Sequence, residues 1–222
     1  VLELSGCIVT VDAMGTQKKI AREIIEADAD YVLALKGNHE TVHEEVKSFL
    51  DEAVAEKNSK PAKPSKAAVN LAVLETVEKD HGRLETRRYY QSAELDWFAD
   101  RAKWEGLRSV GVVEAIREIG AQRTVERRYY LSSLPLEVGT FARAVRGHWG
   151  VENKLHWVLD VQMREDQSRA RAGYAAENLA TLRRLALNLL KREKTKRRGI
   201  KGKQLNASWD HAYLLRLLGV PI

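Results

Sequence analysis

The stretch CIVTVDAMGTQKKIAREIIEADADYVLALKG, residues 7–37, decides the fold. Its ends, CIVTVDA (7–13) and YVLALKG (31–37), are apolar, β-branched runs of strand length, and both read as buried strands. Between them, TQKKIAREIIEADAD sets Ile20, Ile24 and Ala27 on one helical face, with Thr16 as N-cap after Gly15. Strand, helix and strand at this spacing make a parallel crossover in an α/β sheet. Asp12 then stands at the C-terminal end of the first strand, the edge where loops of an open α/β sheet converge and ligands gather. A local cap for the turn at residues 13–15 is the competing reading of the same aspartate.

Outward from this unit, residues 39–56 form an amphipathic helix capped by Asn38, followed by the Lys/Pro-rich connector KNSKPAKPSK (57–66). RLETRRYYQS (83–92), LRSVGVVEAIRE (107–118) and RTVERRYYLSS (123–133) are rich in Val, Thr, Tyr and Arg, and read as antiparallel strands with one solvated, basic face. Helices return after Pro135, among them AAENLATLRRLALNLLKR (175–192) with a stripe of Leu179, Leu182, Leu185 or Ala186, and Leu189. The expected division is 1–56, an α/β start; 57–134, a β-rich insertion; 135–192, a helical part; and 193–222, a basic C-terminal tail.

With 222 residues, 44% hydrophobic and 31% charged, the chain has the composition of an ordinary globular protein with one sizeable core. No apolar run reaches bilayer length and no leader opens the chain, so the expectation is a cytoplasmic protein with no membrane partner. The opening residue is Val1, not Met, which reads as a fragment. A lone cysteine, Cys7, excludes an intrachain disulfide and a cysteine-rich zinc site, and reads as filling an apolar gap beside the first strand. The formal charge of +6 is local: KREKTKRRGIKGK (191–203) carries eight basic residues and one acid. Lys194, Lys196, Arg197 and Arg198 within it make a candidate phosphate-contacting arm, the alternative being a solvated tail.

RGHWGVENKLHW (146–157) raises a separate question. Taking residues 141–159 as a helix places Phe141, Val145, Trp149, Glu152, His156 and Leu159 in one arc, so Glu152 lies inside an apolar stripe. A bare carboxylate there costs several kcal/mol, roughly, unless a partner offsets it. Two partners are open: a salt bridge to Arg143 or Arg146, or a metal ion shared with a second acid, for which Asp12 is the candidate. An Asp at a strand end facing a helix-borne Glu supplies the hard oxygen ligands that Mg²⁺ takes. HETVH (39–43) matches the zinc-peptidase pattern H-E-x-x-H, but Val46 and Phe49 stand where the extended motif needs Gly and a third His, which makes zinc a distant alternative. HGRLETRRYY (81–90) gathers Arg83, Arg87 and Arg88 as candidates for gripping phosphates, the alternative being a solvated strand face.

Taken together, IVTVDAMGTQKKIA, YVLALKGNHETVHEEV, HGRLETRRYY, RGHWGVENKLHWVLDVQMREDQSRAR and ENLATLRRLALNLLK resemble the DDE transposases of bacterial insertion sequences, in the ISAs-one-type or H-repeat-associated branch. The resemblance implies an α/β fold, a ribonuclease-H-like core with a β-rich insertion between the second and third catalytic acids and a helical C-terminal part. It implies that Asp12 is the second acid and Glu152 the third, both catalytic and both ligands to Mg²⁺ (or Mn²⁺), with two ions in the complete enzyme. The implied reaction is cleavage of a DNA strand at the element's end, then attack of the freed 3′-OH on target DNA; the implied partners are those DNAs and a second copy of the chain in a synaptic complex. Related branches carry Tyr, Arg and Lys around the glutamate where this chain has Val145, His148 and Leu159, so those roles are not carried over. The family's first acid lies in an upstream Asp-Gly-Lys motif, a tripeptide absent from these 222 residues. The expectation is a truncated transposase; a non-catalytic DNA-binding remnant of a decayed element is the alternative.

Overall fold

The computed structural model describes residues 3–59, 70–80, 82–151 and 155–220. The chain divides into two compact units, residues 1–148 and 149–222. The first is a mixed α/β unit built on one six-stranded sheet: β1 (Ile8–Val11), β2 (Asp30–Leu35), β3 (Leu71–Asp80), β4 (Arg83–Ser92), β5 (Ser109–Ile119) and β6 (Gln122–Ser132), in the spatial order β1-β2-β6-β5-β4-β3. The pair β1–β2 is parallel, as the opening stretch requires, and the other four pairings are antiparallel. α1 (Lys18–Glu26) is the crossover, and α2 (Glu40–Asn58) follows β2 after a short turn.

The β-rich middle does not close on itself. Its last strand, β6, lies beside β2, with Leu33 opposite Leu131 and Leu35 opposite Tyr129, so a single sheet runs through both parts. One face of that sheet packs against α1 and α2 through Ile24, Tyr31, Leu33, Val46, Leu50 and Leu131. The other face packs against α3 (Val138–Val151) through Val32, Tyr89, Val113, Tyr130, Phe141 and Val145.

Four local expectations are corrected. β1 is half-exposed because it lies at the edge of the described sheet, with one hydrogen-bonded neighbour. Cys7, just before it, is exposed and fills no gap. Thr16 does not cap α1; its hydroxyl donates 2.7 Å to the Ala34 carbonyl, and Gln17 takes the cap position. α2 begins at Glu40 with His39 at its cap position, so Asn38 is not the cap.

α3 rests on the sheet by one close approach. Phe141 is fully buried, sits edge-on to Tyr130 at 5.6 Å between ring centres, and lies directly over Gly111 of β5. A Cβ on residue 111 would come 2.5 Å from Phe141 Cζ, so only glycine fits beneath the ring. The apolar stripe of this helix holds through Phe141 and Val145 and then fades: Trp149 is 36% exposed.

The second unit is helical: an irregular turn at Val158–Gln162, then α4 (Ala175–Arg192), α5 (Ile200–Trp209) and α6 (His211–Leu217). α4 has the bounds expected, but it buries Leu187 and Leu190, whereas Leu182 and Leu185 are 58% and 55% exposed. The buried face is turned about one residue from the predicted stripe, toward Val158, Leu159 and Ile200. The segment read as a basic tail carries two helices of its own.

Gly111→Ala therefore forces Phe141 off its seat, and an overpacked core position costs about 1–3 kcal/mol. Thermal melting of the variant should show a clear loss of stability; an unchanged melt would mean that α3 does not depend on this contact.

Candidate active site

The corner around Asp12 is built by the ends of two parallel strands. β1 stops at Val11; Asp12 is extended, and residues Ala13–Gly15 form a single 3₁₀ turn closed by Gly15 N–H to the Asp12 carbonyl at 2.9 Å. The Asp12 side chain is 60% exposed and meets the turn only at its first residue, through the Ala13 backbone N–H. Lys36, one residue past β2, brings Nζ to 3.4 Å from Asp12 Oδ1. The carboxyl is held below its ordinary value, first by the Ala13 backbone N–H, against a smaller cost of burial, and then by the positive charges of Lys36 and His148. Thr16, fully buried, ties the turn to the end of β2.

His148 arrives from α3. Its Nδ1 lies 3.1 Å from the Thr10 hydroxyl on β1, two residues before Asp12, so this helix is bonded to the strand that carries the acid. Glu152, four positions further along the sequence, lies outside the described residues. Of the arginines expected as its salt-bridge partners, Arg146 pairs with Glu78 at 2.6 Å and Arg143 donates to Thr140 at 2.9 Å. Lys36 and His148 were not among the residues expected at this corner. A parallel register of Val11 opposite Leu33 places residue 36 near Asp12, a deduction available from the two strand ends.

The strand arginines are held by carboxylates. Arg88 on β4 is paired with Glu75 at 2.6 Å and lies 3.6 Å from Glu114; Arg87 is paired with Glu85 at 2.6 Å and Glu78 at 3.1 Å; Arg83 lies 3.7 Å from Glu85. Glu75, Arg88, Glu114 and Arg127 face one another across four strands, and Arg127 and the Tyr129 hydroxyl both reach Asp51 of α2. The basic face of the sequence is thus an interleaved acid–base lattice. The HETVH histidines diverge: the His39 ring meets the Thr16 carbonyl and the edge of Trp104, whereas His43 sits edge-on to Tyr129.

In the second unit the basic run is differently disposed. Lys194, Lys196, Arg197 and Arg198 are exposed and make no ion pair among the described residues, and the one acid of the run, Glu193, is buried. No helix among the described residues is long and apolar enough to cross a membrane.

A family model described as the transposase DDE domain matches residues 1–189. The chain belongs to the DDE transposase family. Similarity to bacterial relatives over nearly the whole of this chain agrees: YbfL of Escherichia coli K12 is 37% identical over 98% of this chain and 56% of its own length. The H repeat-associated candidate transposase YhhI of the same strain gives the same three figures, and YncI of E. coli O157:H7, also named a candidate transposase, is 37% identical over 98% of this chain and 54% of its own. The chain therefore spans about half the length of the curated relatives it matches.

The depressed Asp12 carboxyl has a definite sign. Its contribution to stability is complete above the ordinary aspartate value of 3.8 and is lost as pH falls through the lower folded value. Lys36→Met should raise the Asp12 pKa part of the way toward 3.8, because the Ala13 amide remains; a carbon-detected NMR titration reads it, and no movement would remove Lys36 from the corner.

Proposed function

We propose that this chain is the catalytic part of a DDE transposase that cuts and joins DNA at insertion-sequence ends, with Asp12 and Glu152 as two of its metal-binding acids. The observation that carries the reading is Asp12 itself: an exposed strand-end carboxylate whose pKa is lowered by the Ala13 amide and by Lys36 beside it, in a chain of this family. Its hard anionic oxygens suit Mg²⁺ or Mn²⁺. Among the described residues no three His, Cys, Asp or Glu side chains are grouped to hold a metal, so Asp12 needs donors from beyond them. In this reading those are Glu152 and an acid upstream of the chain, on a ribonuclease-H-like core into which the strands β3–β6 are inserted. The bound metal would lower the pKa of the attacking water or 3′-OH and offset charge on the phosphate.

The chain's own residues supply the frame. Asp12 holds its charge through the Ala13 amide, and Lys36 stands beside it, a cation that balances the carboxylate and can meet a phosphate oxygen. The His148–Thr10 contact fixes α3 to the acid-bearing strand. Positioning of this kind and charge stabilisation account for most of the catalysis expected of an in-line phosphoryl transfer. Lys194, Lys196, Arg197 and Arg198 are the proposed DNA contacts. Arg83, Arg87 and Arg88 are better placed to hold the sheet than a phosphate, given the carboxylates that engage them. The partners are the element's ends and target DNA, in a synaptic complex of two copies.

A non-catalytic DNA-binding remnant is the second reading, favoured by the exposed cations Lys194, Lys196, Arg197 and Arg198, which make no ion pair among the described residues. Mg²⁺-dependent cleavage separates the two. The 222-residue chain should bind DNA without cutting it, and a longer chain that adds an upstream strand bearing the Asp-Gly-Lys motif should cut, with Glu152→Gln abolishing the gain. Cleavage that survives Glu152→Gln would take Glu152 out of the site; no cleavage by the longer chain would favour the remnant.

The basic residues have their own test. Changing Lys194, Lys196, Arg197 and Arg198 together to Gln should weaken binding to all DNA sequences and reduce the salt slope by roughly 3 to 4, the release expected for four lost phosphate contacts. An unaltered slope would remove these residues from the interface.

A further inference from the structure

Beneath the exposed cations of the basic run lies a cluster of buried polar side chains. Glu193 directly follows α4 and turns its carboxylate inward; its side chain is 5% exposed and that of Lys203, on α5, is 8% exposed. Glu193 Oε1 accepts the Thr195 backbone N–H at 2.5 Å and also the Thr195 hydroxyl. Oε2 accepts the Tyr213 hydroxyl at 3.0 Å and the Lys196 N–H at 3.4 Å. Lys203 Nζ, 3.8 Å from the same carboxylate, donates to the Leu190 carbonyl at 3.1 Å and the Glu193 carbonyl at 2.5 Å, closing the C-terminal end of α4.

The consequence for the segment above is specific. One carboxylate gathers two successive-turn amides, a hydroxyl from its own loop and a phenol from α6, so the backbone through residues 193–196 is fixed from within. The single acid that would offset the run's charge faces the interior, whereas Lys194, Lys196, Arg197 and Arg198 face solvent. A free polycationic tail loses backbone and side-chain freedom when it binds a polyanion; a loop already shaped loses less. The Glu193 carboxyl, held down to about 2 chiefly by the Thr195 hydroxyl, stays ionised across the whole working range of pH.

We propose that residues 193–199, between α4 and α5, form a pre-shaped phosphate-binding loop for duplex DNA, with Glu193, Lys203 and Tyr213 as the internal brace that sets its form. The proposal rests on the DNA-binding reading above and adds a positioning role to an acid that simple charge counting would call unfavourable for binding. That opposition makes the test sharp. If charge alone mattered, Glu193→Gln would add one unit of positive charge to the run and tighten DNA binding; if the brace matters, it weakens binding.

The full 222-residue chain is titrated with a short DNA duplex of arbitrary sequence at fixed salt. Glu193→Gln is expected to raise Kd about tenfold, with Thr195→Val and Tyr213→Phe, which leave the formal charge at pH 7 untouched, each raising it by about threefold. Hydrogen exchange at the Thr195 and Lys196 amides should accelerate in Glu193→Gln. Should that variant fail to fold, since it leaves Lys203 without its counter-charge, the two charge-neutral variants and their exchange rates decide. The four-residue Gln variant separates the two ideas. If it weakens binding whereas the brace variants leave it unchanged or tighten it, the brace is overturned and the DNA contact stands. If it leaves binding unchanged, the DNA contact itself fails. Binding to vesicles of anionic lipid in place of duplex DNA would also overturn the proposal.

Discussion

The alignment of β2 with β6 is the constraint on which the first unit depends. β2 is the second strand of the opening crossover and β6 is the last strand of the β-rich middle, about a hundred residues later. Their junction is fixed by more than the ladder. Ser133 Oγ accepts the Tyr31 N–H at 2.8 Å and donates to Asp30 at 2.6 Å, the Ser132 hydroxyl donates to the Tyr31 carbonyl, and the Tyr31 hydroxyl donates to the Glu105 carbonyl. All three of Tyr31, Ser132 and Ser133 are buried, where an unmade hydrogen bond costs about 1–3 kcal/mol. A shift of one residue would turn Leu33 and Leu131 to the wrong face and leave these groups without partners. Because the junction is fixed, α2 has a sheet to cover on one side and α3 on the other, and Lys36, just past β2, is brought beside Asp12.

How much of this could be read from the chain follows from whether the information was local. The crossover was legible because β1, α1 and β2 each declare themselves by pattern within 31 residues. Three of the four strands of the middle, β4, β5 and β6, were legible as strands for the same reason, whereas β3 was not read as one. Their union with β2 was not, because it joins residues a hundred apart and depends on buried serines that in sequence resemble any loop serine. The α4 stripe was assigned to the wrong face since leucine occurs nearly all around that helix, and periodicity alone cannot choose among leucines when only some meet a partner. Cys7 and Thr16 were assigned by residue habit, and the geometry of a single turn overrode the habit in each case.

The candidate site was legible in part. Asp12 was found because a lone acid closing an apolar strand is conspicuous, and the structure leaves it exposed, beside Lys36 and the Ala13 amide. Lys36 and His148 were missed because their significance is relational: neither is unusual until β1 is laid beside β2 and α3 is bonded to Thr10. The arginines of β4 had a relational side as well. Arg83, Arg87 and Arg88 read as a cationic strand in sequence, and the carboxylates that meet them are Glu85 on the same strand, Glu75 and Glu78 on β3 and Glu114 on β5.

That lattice also governs how the sheet can go wrong. Glu75, Arg88, Glu114 and Arg127 stand in one row, flanked on the same face by Val77, Thr86, Ile116 and Val125 on one side and by Val73, Tyr90, Val112 and Tyr129 on the other. Sliding any one strand by two residues keeps its side chains on the correct face, so hydrophobic patterning by itself barely resists the error. It would, however, drive a guanidinium or carboxylate against an aliphatic neighbour, and Glu114, only 6% exposed, would lose its counter-ions in the interior. The row therefore acts as a key cut for one alignment. The two long hairpins, β3–β4 and β5–β6, are thereby matched in one register.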